Sequence, residues 1–109
     1  ALSDFMHGPF ALITASSHVI IIAMDKETLN DAVDMIHNLD HVGAQITMLT
    51  DSEELAQLVK DCLILPKTNI WFSPFVSIVA GQLLSCLLSV KRGINPDLSR
   101  NIKKVTFTR

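Results

Sequence analysis

The stretch "HVIIIAMDKETLNDAVDMIHNLDHVGAQITMLT", His18 to Thr50, decides the fold. It opens with His18-Val-Ile-Ile-Ile-Ala-Met24, a continuous β-branched run of the kind found in a strand covered on both faces. From Thr28 to His41 the period changes: Leu29, Val33, Ile36 and Leu39 recur at helical spacing. Thr28 and Asp31 form a weak capping box at the start, and Gly43 closes the helix. Ala44-Gln-Ile-Thr-Met-Leu-Thr50 is the second strand. Strand, helix and strand joined by short loops default to a parallel, right-handed crossover.

Working outward, the pattern repeats. "DSEELAQLVK", Asp51 to Lys60, starts with Asp51 and Glu54 in capping-box spacing and carries Leu55, Leu58 and Val59 on one side. Cys62-Leu-Ile-Leu-Pro66 follows as a third strand, so the order is β-α-β-α-β and the class is α/β with a parallel sheet. Ser73 is placed to cap a long helix, with Pro74 at the first helical position. The run from Phe75 to Val90 is apolar nearly all round, but Ser77, Gln82, Ser85 and Ser89 interrupt it. The uninterrupted length falls short of the ~20 residues of a membrane span. The expectation is a packing helix, buried between the sheet and a second subunit or domain, and no membrane.

Composition narrows the class of function. The 109 residues suffice for one domain at most, and 49% apolar against 18% charged residues suggests burial on both sides of the sheet or against a partner. A net charge of −2 gives no reason to expect nucleic acid, since the basic residues cluster only at Arg100, Lys103, Lys104 and Arg109. Cys62 and Cys86 sit in apolar runs, which predicts buried reduced thiols in a cytoplasmic protein. The first residues show no secretory pattern and no initiator Met, so a piece of a longer chain is expected.

Three places carry candidate chemistry. His37 and His41 lie one helical turn apart with Asp34 on the same face, a spacing that suits zinc. No Cys or further His completes the ligand set, so an outward polar face is the expected reading and no metal is assigned. In "DFMHGPFALI", Asp4 to Ile13, Gly8 is free in φ and Pro9 fixes its own, so a loop just before a strand can present His7 rigidly to a cleft. The tail "INPDLSRNIKKVTFTR", Ile94 to Arg109, keeps a turn signal at Asn95-Pro96-Asp97 and two adjacent lysines.

His7-Gly8-Pro9 with Ala11-Leu12-Ile13 and a β-branched strand resembles the His-Gly-Pro-x-Ala-Leu-Ile segment of the SIS (sugar isomerase) domain. It is most similar to the second such domain of the glucosamine-6-phosphate synthase and phosphosugar isomerase family. "NPDLSRNIKKVTFTR" resembles that family's Asp-Pro-Asp-x-Pro-Arg-x-Leu-x-Lys-Val-Thr ending at the right separation, and the similarity spans essentially the whole chain. The resemblance implies a three-layer α-β-α, flavodoxin-like sheet. Residues 1–109 would be one partial domain holding its last three strands, the packing helix and, from 93 to 109, an active-site tail.

What the resemblance implies for chemistry is a ketose or aldose 6-phosphate substrate of the fructose 6-phosphate or glucosamine 6-phosphate type. His7 would open the sugar ring, reaching into the site of a neighbouring subunit, because an imidazole donates and accepts near neutral pH. Lys104 would form a Schiff base with the ketose carbonyl. Lys103 and Arg100 would assist substrate binding, with no cofactor. The implied partners are the sugar phosphate, a second copy through the apolar helix, and a preceding domain of the same kind. The family's proton-transfer Glu and its Ser/Thr phosphate loop are not matched here. Asp4 does not take the Glu position, Ser99 stands where the family has Pro, and Met6 where a basic residue is common. The competing reading is a non-catalytic, sugar-phosphate-binding regulatory module; the lysine-bearing tail favours the enzyme.

Overall fold

The computed structural model describes residues 2–24 and 28–98. The elements run in the order α1 (Leu2–Met6), a 3₁₀ turn (Pro9–Leu12), β1 (His18–Ala23), α2 (Leu29–Val42), β2 (Gln45–Thr50), α3 (Glu53–Ala56), β3 (Asp61–Ile64) and α4 (Ser73–Lys91). The chain divides into two compact units, residues 1–77 and residues 78–109.

In the first unit the three strands form one sheet in the order β1-β2-β3, and both pairings are parallel. This is the α/β class that the β-α-β-α-β pattern predicts. Register puts Ile21, Met48 and Cys62 side by side on one face, and Ile22, Leu49 and Leu63 on the other. Two crossovers of the same hand that step in the same direction deliver both helices to one face of the sheet. The core follows: Ile21, Ala23, Ile46 and Met48 from the strands meet Ala32, Met35, Ile36 and Leu39 of α2, with Leu55 and Val59 at the β3 side.

The opposite face corrects one expectation. The unbroken apolar run of β1 predicts cover on both sides, yet Ile21 is 2% exposed while its neighbour Ile22 is 45% exposed. Ile20 and Leu63 share the exposed part of that face with Ile22, whereas Leu49, between Ile22 and Leu63, is only 1% exposed. Because strand order runs one way through the sheet, the helices that join these strands cannot reach it.

Helix ends show where local sequence decides. Gly43 takes φ +81°, its N–H bonds the Asp40 carbonyl, and the Ala44 N–H reaches back to Leu39. This double closure satisfies the last carbonyls of α2 as the glycine predicts. The expected Thr28–Asp31 capping box is not formed, because Thr28 makes no side-chain cap bond to the helix start. At α3 the cap is one residue later than expected: Ser52, not Asp51, accepts the Leu55 N–H at 3.3 Å. That helix ends at Ala56, so Leu58 turns outward while Leu55 and Val59 are buried.

The entry to α4 also differs. Ser73 does not cap it; its hydroxyl, nearly buried, donates backward to the Ile70 carbonyl at 2.9 Å. Asn69 organises the turn instead, its side chain accepting the Trp71 N–H and its carbonyl accepting those of Phe72 and Ser73. Along α4, Phe75, Ile78, Val79, Leu83, Leu87 and Val90 are all exposed. At 19 residues with a mean hydropathy of 1.7, α4 is long and apolar enough to cross a membrane by length and composition. In the second unit, α4 ends as α2 does, with Gly93 at φ +69° bonding Val90 and the Ile94 N–H reaching Ser89. The Asn95 side chain then accepts the Asp97 N–H, which forms the turn expected at Asn95-Pro96-Asp97.

Candidate functional site

Of the four site residues read from the sequence, the structure describes one. His7 stands at the end of α1, while Arg100, Lys103 and Lys104 lie outside the described residues. The loop that carries His7 is held from beneath. Phe5 and Phe10 flank it and meet edge to face, their centroids 6.3 Å apart and their planes at 87°, and both pack against the core. The His7 N–H bonds the Asp4 carbonyl, and Ala11 closes the next turn onto Gly8. α1 and the 3₁₀ turn thus place an exposed His7 just before β1.

Gly8 has φ −174° and ψ −64°, and a Cβ built there meets nothing within 4 Å. The edge-to-face contact of Phe5 and Phe10 adds to what Gly8 and Pro9 contribute to the loop. Sequence reading missed α1 because its apolar positions, Leu2 and Phe5, are too few to show a helical period.

His7 opens onto a cleft of about 280 Å³ between α1 and α2, where Leu2, Met6 and His7 face Asp31, Asp34 and Asn38. A second cleft, of about 440 Å³, lies at the carboxyl ends of the strands and is lined by Met24, Leu29, Asp51, Glu54, Lys67 and Thr68 among others. Ligands of open α/β sheets settle at that end of the strands, at the point where strand order reverses. Order does not reverse among β1, β2 and β3, so the described strands contain no switch point. The three carboxylates of Asp51, Glu53 and Glu54 against Lys67 also make this cleft a poor match for phosphate.

The remaining candidates resolve simply. His37 and His41 are both exposed on α2, the polar outward face expected of them, and no group of three or more His, Cys, Asp or Glu gathers to hold a metal ion among the described residues. Both cysteines are free thiols. Cys62 is half-buried, and burial pushes its thiol pKa up. Cys86 corrects the expectation of burial: it is exposed on α4, for the same reason that the helix around it is exposed.

These elements define the class: an open parallel α/β layer with an imidazole displayed just before its first strand. Its relatives are enzymes. Over 102 residues, 93% of the chain, it is 36% identical to the glutamine–fructose-6-phosphate aminotransferase (isomerizing) of Thermococcus kodakarensis. Proteins of the same name from Bradyrhizobium diazoefficiens and Clostridium tetani are 31% and 29% identical, each over 95% of the chain. The chain spans about a sixth of the length of these relatives, 17 to 18%. No protein-family model matches it.

Proposed function

We propose that the chain is part of a sugar isomerase domain that acts on a ketose or aldose 6-phosphate within a larger phosphosugar isomerase or aminotransferase. The observation that carries this reading is homology to isomerizing aminotransferases along 93% of the chain. The parallel layer and the exposed His7 just before β1 agree with it.

In this reading His7 opens the ring, and Lys104 condenses with the ketose carbonyl, helped by Lys103 and Arg100. The rest of the site comes from outside these residues, and the 109 residues alone are inactive. The open face at Ile20, Ile22 and Leu63 and the exposed side of α4 are covered in the assembled protein. That cover comes from a preceding domain of the same kind and from a second copy of the chain. A face exposed at Ile20, Ile22 and Leu63 is unusual for a parallel sheet, and Ser77, Gln82, Ser85 and Ser89 suit a packed helix better than lipid. The proposed location is the cytoplasm.

Borohydride trapping tests the central step. The intact protein with a ketose 6-phosphate should give a stable covalent adduct, and Lys104→Ala should abolish it. Undiminished trapping in the variant would show that Lys104 is not the Schiff-base residue.

A further inference from the structure

We propose that Asp31 and Asp34 of α2 serve as the general base opposite His7 in opening the sugar ring. The inference rests on the ring-opening role proposed for His7. It starts from the shape of the cleft that His7 lines: Leu2, Met6 and His7 form one wall, and Asp31, Asp34 and Asn38 of α2 form the other, with the buried Met35 between them. Helical spacing explains that wall. Positions 31, 34 and 38 form one stripe, at the rim of the face that buries Ala32, Met35, Ile36 and Leu39 in the core. The Asn38 carboxamide donates to the Asp34 carbonyl at 2.8 Å, which fixes it within that stripe.

Ring opening moves two protons at two different oxygens. A carboxylate accepts the proton of the anomeric hydroxyl, whose oxygen becomes the carbonyl. The bond from the anomeric carbon to the ring oxygen breaks, and its electron pair stays on the ring oxygen, which takes a proton from the protonated imidazole. Solvent then returns the proton from the carboxylic acid to the imidazole, and nothing is oxidised or reduced. Acid and base must reach the ring from different sides, and a cleft of about 280 Å³ with an imidazole on one wall and two carboxylates on the other has that arrangement. Asp4 on α1 is a further ionisable group beside this loop. The residues from α1 to α2 belong to one compact unit. Wherever His7 docks, Asp31 and Asp34 therefore travel with it.

The test uses the intact protein carrying this sequence. Anomer exchange of fructose 6-phosphate is followed by saturation-transfer NMR, alongside turnover of an open-chain analogue that cannot cyclise. The double variant Asp31→Asn, Asp34→Asn should slow ring opening on the order of 10²-fold, the usual size of a general acid–base contribution. It should leave open-chain turnover within about twofold of wild type on the same ground. His7→Asn should show the same split. Replacing both aspartates by Glu should restore part of the rate, and Asp40→Asn, which removes one carboxylate elsewhere on α2, should change nothing. Equal losses on both substrates would mean that the aspartates only support the fold, and the proposal would fall. Wild-type ring opening in the double variant, with loss in His7→Asn, would overturn this inference alone. If the wild-type protein does not accelerate anomer exchange, the ring-opening role of His7 falls with it.

Discussion

Ile21→Ala and Ile22→Ala remove the same carbons from neighbouring positions of β1, and the structure assigns them very different costs. Ile21 is 2% exposed and belongs to the core with Met35, Ile36 and Met48. Removing three buried carbons there forfeits about 2.4 kcal/mol of transfer free energy at ~0.8 kcal/mol for each. The cavity left behind raises the total to about 3–4 kcal/mol. Ile22 is 45% exposed, so its transfer loss is about 1 kcal/mol, and no cavity forms because water takes the space. The loss of β-branched propensity is common to both variants and cancels in the comparison. The expected difference is therefore about 2–3 kcal/mol. Urea denaturation of the 109-residue chain, followed by circular dichroism, should show it as midpoints about 1–2 M apart for an m-value of roughly 1.5 kcal/mol per molar. Equal costs in the 109-residue chain would refute the unequal cover of the two faces of β1. In the intact protein the cost of Ile22→Ala should rise towards that of Ile21→Ala, because the proposed second layer covers the open face.

Further outcomes follow from single residues. Gly43→Ala should destabilise the chain by about 1 kcal/mol in the same urea assay. The left-handed φ of +81° costs an L-residue about 1–2 kcal/mol, and the stiffer unfolded chain offsets part of that. Its Cβ would meet Ala15 at an ordinary 3.7 Å, so the loss should come from strain and not from a clash; Gly43→Asn should cost less, and a neutral Gly43→Ala would contradict the left-handed cap. Burial holds the Cys62 pKa above the usual thiol range, which leaves less thiolate at any pH below it. In the 109-residue chain iodoacetamide should therefore label the exposed Cys86 before Cys62, and the Cys62 rate should keep climbing as pH rises past neutrality. Mass spectrometry of the two peptides reads the order, and faster labelling of Cys62 would argue against its burial.

Much of the architecture was legible because it rests on local periodicity. The switch from the β-branched run of β1 to the helical spacing of α2, with Gly43 at its end, requires only that each residue satisfy its own backbone and face. The capping signals were less reliable. Thr28, Asp51 and Ser73 all have side chains fit to cap, but whether an oxygen reaches an N–H depends on how the chain enters the helix, and Ser52 and Asn69 had the geometry.

The α/β class and the parallel pairing could be read from the sequence alone, through patterns that repeat within a few residues. Tertiary structure decided which face of β1 is buried, because cover is a property of strand order and not of the strand. It also decided what stands opposite His7. Asp31 and Asp34 are more than twenty residues away along the chain, and only the packing of α1 against α2 brings the imidazole and the carboxylates to one cleft.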